Sequence, residues 1–198
     1  MAKTPTHNNR TSLKFDNIIV WRHAEAEQAD FELGEQDNAR QLTVKGQTQA
    51  KRMAKWLKQH LPKDTVLICS PAARALQTAE ALNYKIQLHD GLKPSASLVD
   101  VLNVLTEFTQ QKNIIIVGHQ PWLGQLVAYL FEQLSCDVAD MKSLSIKKGA
   151  VWWLRRHLSE TTLNQTLAFN QTLPFNQALV LNQKPAYKLL SIQTPSLL

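Results

Sequence analysis

The sequence predicts an α/β domain, a three-layer sandwich whose central sheet is mostly parallel and flanked by helices. Two observations predict it. Short, β-branched apolar runs recur along the chain and read as buried strands. Between them lie stretches with apolar residues at helical spacing, and strands alternating with helices are the pattern of parallel sheets. At 198 residues the chain is long enough for one domain with a real core.

The elements follow in order. Residues 1–15 are polar and read as a flexible tail, so the domain is expected over 16–198. Ile18, Ile19, Val20 and Trp21 form the first strand. From Thr43 to Leu61, Ala50, Met53, Ala54, Leu57 and Leu61 keep helical spacing. Val66 to Cys69 reads as a second strand. Ser70-Pro71 then reads as an N-cap with proline at the first helical position, opening a helix to about Asn83. Residues 85–88 make a third strand. Ser97 and Asp100 have the spacing of a capping box, and the helix they open carries Leu98, Val101, Leu102 and Leu105 on one face.

Ile114 to Val117 is the most apolar strand, and Pro121 starts a helix with Leu123, Leu126, Val127, Leu130 and Leu134 turned inward. The pattern then turns to β at 150–154 and 187–192. Between those runs a Leu/Phe-Asn-Gln unit recurs every six residues: Leu163-Asn164-Gln165, Phe169-Asn170-Gln171, Phe175-Asn176-Gln177 and Leu181-Asn182-Gln183. Pro174 interrupts it. The segment at about 160–184 reads as an insertion, a bent hairpin or a loop, with a dimerisation or docking arm as the alternative.

Composition narrows the function classes. With 44% apolar and 19% charged residues the chain is neither disordered nor fibrous. The net charge of +6 draws anionic partners in general. No basic-aromatic cluster points to nucleic acid, and no run of about 18 apolar residues points to a membrane span. The first residues lack the apolar stretch of a secretory signal. Cys69 and Cys136 form no disulfide or zinc pattern and read as reduced core thiols. A cytoplasmic monomer or weak dimer is expected.

The chemistry gathers at strand ends. The first strand runs into Arg22 and His23, the second into Ser70-Pro71 and then Arg74, and the 114–117 strand into Gly118 and His119. Ligand sites of parallel α/β sheets form at the carboxyl ends of strands, so these segments are expected to converge. Two arginines, two histidines and a helix start would then surround one cavity suited to a phosphoryl group. Such clamps stabilise charge spread over equatorial oxygens, and a central histidine can attack phosphorus. Each piece alone also reads as an ordinary surface or structural residue. A metal held by His23, His119 and Glu25 is disfavoured by the flanking arginines, and no cofactor is called for.

These segments resemble the motifs of the histidine phosphatase superfamily, the phosphoglycerate-mutase-like family. Val20-Trp21-Arg22-His23-Ala24-Glu25-Ala26 is similar to its signature, with Ala24 where Gly is usual. Ser70 to Ala79 resembles its second motif and Val117-Gly118-His119-Gln120-Pro121 its third, while Arg40 to Gly46 fits the segment before the first helix. The short form most resembles the SixA-type phosphohistidine phosphatases. The resemblance implies that His23 is the nucleophile and that Arg22, Arg74 and His119 bind the phosphoryl group, with Arg40 close by. It leaves the general acid open: Asp90 is the candidate after the second motif, with Glu25 and Glu27 as fallbacks.

Only 45 residues separate Arg74 from His119, which leaves no room for the capping subdomain of metabolite-specific relatives. An uncovered, cationic site suits phosphate displayed on another protein. The expected substrate is therefore phosphohistidine on a signalling or phosphocarrier protein. A small phosphorylated metabolite is the alternative, and a catalytically idle phosphoprotein-binding module stands in third place.

Overall fold

The computed structural model describes residues 13–28, 37–132, 143–157 and 187–198. The six-residue repeat at 163–183, the insertion around it and Cys136 lie outside the described residues. Six strands form one sheet: β1 (Asn17–Arg22), β2 (Val66–Cys69), β3 (Ile86–Leu88), β4 (Asn113–Gly118), β5 (Val151–Arg156) and β6 (Tyr187–Gln193). Their order is β3-β2-β4-β1-β5-β6. The first four in that order run parallel, and β5 and β6 are each antiparallel to the strand before. This is the mostly parallel sheet that the strand–helix alternation predicts, closed on one side by a hairpin-like pair.

Four helices cover the two faces: α1 (Val44–His60), α2 (Ala73–Glu80), α3 (Leu98–Thr106) and α4 (Trp122–Glu132). Alternation along the strands assigns the layers, because successive side chains of a strand point to opposite faces. Ile18 and Val20 of β1, Ile68 of β2 and Ile114 and Ile116 of β4 pack with Val101, Leu105, Leu123, Leu126 and Val127 of α3 and α4. Their neighbours Ile19, Trp21, Leu67, Cys69, Ile115 and Val117 pack with Met53, Ala54, Leu57, Ala75 and Ala79 of α1 and α2. β1, β2 and β4 are thus buried on both sides, which explains their unbroken apolar sequence.

Local chemistry sets the helix ends. Thr43 caps α1 by accepting from the Gly46 N–H at 3.0 Å. Ser97 and Asp100 form the expected reciprocal capping box on α3. The second helix departs from expectation at both ends. It starts at Ala73, with Ala72 and not Ser70 in the capping position, and it stops at Glu80, where the chain turns toward Asn83 at φ 54°. The Ser70 hydroxyl does other work, described below. A 3₁₀ turn at Asp90–Leu92 was not apparent in the sequence.

The N-terminal tail reading is corrected at its end. Leu13 and Phe15 are buried in the α3/α4 core. The buried Tyr187 hydroxyl bonds to their carbonyls, at 3.1 Å to Leu13 and 2.9 Å to Phe15. Leu13 and Phe15 sit beside charged Lys14 and Asp16, so composition alone hid their alternation. Among the described residues, no helix is long and apolar enough to cross a membrane.

Candidate active site

Parallel pairing aligns the three strand ends. Arg22 of β1 sits opposite Gly118 of β4, and Cys69 of β2 opposite Val117. The residues just past those ends are tied across the sheet: His23 N–H donates to Gly118 O at 3.0 Å and Ser70 N–H to Val117 O at 3.0 Å. Gly149 N–H donates to His23 O at 3.0 Å, holding the segment from the β5 side. The His23 and His119 rings therefore lie side by side, with centroids 5.1 Å apart and planes tilted by 49°.

Backbone contact fixes the state of His23. Its Nδ1 lies 2.8 Å from Ala24 O, and a carbonyl can only accept, so Nδ1 carries the proton. The Nε2 lone pair is left free. Burial drives the ring's pKa down to about 3; the Ala24 bond opposes this, and the charges of Arg74, Arg22 and Lys148 reinforce it. The result is a neutral imidazole with one defined unprotonated nitrogen, Nε2. Thr78 supports the same loop, its hydroxyl accepting from Ala24 N–H at 3.0 Å and donating to Arg74 O at 2.6 Å.

His119 is also held neutral. Burial, then the neighbouring His23 and the arginines, push its pKa down to about 2. Its Nε2 is 2.8 Å from Ser70 Oγ, which itself accepts from Ala72 N–H at 3.3 Å; with the hydroxyl proton turned to Nε2, the neutral ring carries its own proton on Nδ1. Ser70 thus orients a ring of the site, and the backbone N–H it accepts from, that of Ala72, lies before the first residue of α2. Trp122 lies 6.4 Å from His119 and is fully buried, its Nε1–H donating to Lys93 O at 3.1 Å; it packs beneath the site. Gly118 makes room for that indole, since a Cβ there would fall 2.1 Å from its ring atoms.

Arg22 Nη1 donates to Ile146 O at 2.6 Å, and Arg74, only 3% exposed, donates through Nη1 to Asp37 O at 2.5 Å and through Nη2 to Asp37 Oδ2 at 2.8 Å. Three donor atoms around His23 have no partner among the described residues: Arg22 Nε, Arg74 Nε and His119 Nδ1. A buried donor left unpaired costs about 1–3 kcal/mol, so three together mark a place built for an acceptor-rich ligand.

Arg40 stands beside this group through a shared carboxylate. Its Nε and Nη2 both lie 2.7 Å from Asp37 Oδ1, while its Nη1 donates to Glu27 O at 2.7 Å. Burial tends to raise the Asp37 pKa, but Arg74 and Arg40 outweigh it and hold the carboxyl below its usual range. Sequence reasoning missed Asp37. The only available signal was its place three residues before Arg40, in a loop without periodicity.

The acid candidates fare differently. Asp90 has an 81% exposed side chain and pairs with Lys93 at 3.1 Å, so its carboxylate is turned to solvent and to that lysine. Glu25 pairs with Lys45 at 2.9 Å and accepts from Thr43 at 3.3 Å; the Lys45 hydrogen bond, ahead of its charge and Thr43, lowers its pKa. It stays an anion at neutral pH and cannot donate a proton. Glu27 Oε2 accepts from Gln41 N–H at 3.2 Å. Among the described residues, no three His, Cys, Asp or Glu side chains cluster as a metal site would.

Comparison with known proteins places the chain in a family. A family model for the histidine phosphatase superfamily (branch 1) matches residues 18–94. The chain is 36% identical over 132 residues to the phosphohistidine phosphatase SixA homolog of Haemophilus influenzae, covering 58% of this chain and 77% of that protein. Among solved structures, the protein histidine phosphatase SixA complexed with tungstate superposes with a TM-score of 0.62. That match is 20% identical and covers 91% of this chain and 97% of the other. The mycobacterial glucosyl-3-phosphoglycerate phosphatase with inorganic phosphate gives 0.58 at 15% identity, over 72% of this chain and 90% of that one. At such identities the structural matches speak for the fold alone.

Proposed function

Given that the chain belongs to the histidine phosphatase superfamily and is a SixA-like phosphatase, we propose that it hydrolyses phosphohistidine on a partner protein, through a phosphohistidine formed on His23. The observation that carries this reading is the free Nε2 of a neutral, buried His23, ringed by the unpaired donors of Arg22, Arg74 and His119. Nε2 attacks the phosphorus as the bond to the substrate imidazole breaks. The equatorial oxygens gain negative charge, and the two guanidinium groups with the His119 N–H stabilise it where it develops. The Nδ1–H of His23 stays on Ala24 O throughout, so the ring can carry positive charge while phosphorylated. Water then attacks the phospho-enzyme, phosphate departs and Nε2 is free again.

The acid question favours phosphohistidine over a phosphate ester. An alkoxide needs a proton as it leaves; the Asp90 carboxylate is turned to solvent and Lys93, and Glu25 is held as an anion by Lys45. A phosphohistidine ring that takes a proton from solvent on its other nitrogen leaves as neutral imidazole and needs less from an enzyme acid. The interval from Arg74 to His119 also carries no capping subdomain: it contains only the rest of α2, β3, the 3₁₀ turn, α3 and β4. Hydrolysis rates on a phosphohistidine-bearing carrier, set beside sugar and nucleotide monophosphates, test the proposal. Turnover of the carrier is expected to win by orders of magnitude and to vanish, with the trapped phospho-enzyme, in His23→Ala. Faster hydrolysis of the esters would move the substrate to a small metabolite. Tight phosphate binding without turnover would leave only a phosphoprotein-binding module.

A further inference from the structure

The site described so far recognises a phosphoryl group but contains nothing that would recognise the protein bearing it. That second element lies along α1. This helix carries Lys45, Lys51, Arg52, Lys55 and Lys58 and not one carboxylate, although the whole chain is only at +6. Its buried face is Gly46, Ala50, Met53, Ala54 and Leu57. At 3.6 residues per turn the five cations fall within an arc of about 140° on the opposite side. All five are exposed, and of them only Lys45 has an ion-pair partner among the described residues.

A groove of about 360 Å³ opens along the same side, lined by Lys45, Thr48, Gln49, Arg52, Pro195 and Ser196. It is joined to the reacting centre. Gln49 Oε1 accepts from Glu25 N–H at 2.9 Å, two residues beyond His23, and Thr43 N–H donates to Glu25 O at 3.1 Å. The helix approaches that loop so closely that a Cβ on Gly46 would lie 1.8 Å from Glu25 O. The rim continues the charge: exposed Lys148 is near enough to act on both His23 and Glu25.

We propose that this cationic face and its groove are the docking surface for an acidic segment of the phosphoprotein, whose phosphohistidine then reaches His23. The proposal rests on the phosphohistidine reading above and extends it to a partner chemistry. Carboxylates flanking the modified histidine would meet unpaired Lys and Arg side chains, while the phosphoryl group enters the buried donors. Complementary charge of this kind raises association rates by about 10- to 1,000-fold at low salt and gives choice of partner. Arg52 and Lys55 touch none of the reacting groups, so the surface can be altered without disturbing the chemistry.

Two synthetic phosphohistidine peptides, identical except for Glu/Asp or Gly/Ser flanks, separate the possibilities. The unaltered enzyme is expected to give a kcat/KM at least tenfold higher for the acidic peptide at low ionic strength, an advantage that shrinks as salt rises. In R52E/K55E that preference should disappear, while turnover of the Gly/Ser peptide stays as it was. Equal turnover of both peptides by the unaltered enzyme, or a preference that survives R52E/K55E, overturns the docking surface and leaves the phosphohistidine reading standing. If neither peptide is hydrolysed while sugar or nucleotide monophosphates are, the phosphohistidine reading itself falls, and the docking proposal with it. Inhibition by single-stranded RNA stronger than by the unphosphorylated acidic peptide would assign this face to nucleic acid instead.

Discussion

Burying two neutral histidines against each other carries a cost that appears only in acid, and its size can be worked out. In the unfolded chain both rings take up a proton near pH 6.5; in the fold His23 resists until about pH 3 and His119 until about pH 2. Below pH 6.5 the unfolded state therefore binds two more protons than the folded one, and stability falls as pH falls, until the folded rings titrate in turn. Well above pH 6.5, where the unfolded rings are neutral too, neither group contributes a pH-dependent term. Between pH 7.0 and 5.5 each ring accounts for a loss of about 1.25 kcal/mol, or about 2.5 kcal/mol for the pair. Urea unfolding at those two pH values, in phosphate-free buffer of constant ionic strength, measures it. The comparison is with the double variant His23→Asn, His119→Gln, so that every other titrating group cancels. The unaltered protein should lose about 2.5 kcal/mol more than the variant across that interval. Equal losses would mean that the rings are charged or solvated in the fold, and the neutral nucleophile argued above would go with them.

Two further outcomes follow from the same geometry. Arg74→Ala removes a buried guanidinium that the proposed mechanism sets against the developing charge, and the loss of one such donor lowers kcat by about 100- to 1,000-fold; single-turnover kinetics should place that loss in the chemical step, and an effect confined to KM would contradict it. Gly118→Ala pushes a methyl group into the Trp122 ring. Overpacking of this kind costs about 1–3 kcal/mol, so a thermal melt should move down, and an unchanged melting temperature would show that the indole has room to shift.

How much of this was legible in the sequence depends on where each residue sits. Arg22, His23 and His119 follow strands whose apolar runs are unmistakable, and parallel pairing brings their ends together without any further information. Arg74 sits in the first turn of α2, one step from such a strand. Asp37 was invisible because its value is relational: it matters only because Arg40 and Arg74, 37 residues apart from it in the second case, both turn toward it. Ser70 was misread for a similar reason. A serine before proline has the local chemistry of a cap, but His119, 49 residues away, holds that hydroxyl in place. Asp90 failed the other way, since order along the chain said nothing about which side of the turn its carboxylate would face. The α1 cations were plain in the sequence as charges, yet their clearance from carboxylates and their nearness to Glu25 are properties of the fold.

The position of β1 in the sheet has a consequence for how the molecule comes into being. Although it comes first among the described strands, its two neighbours are β4 and β5, and the side-chain bonds that join Asn17 to Asn113 and to Trp153 span 96 and 136 residues. Contacts of such long reach are slow to form, because a large loop must close before they are rewarded. During synthesis His23 is made well before β4 and β5, and until they follow it has no walls around it. Only when β5 has been laid down does the segment around His23 gain its second flanking strand.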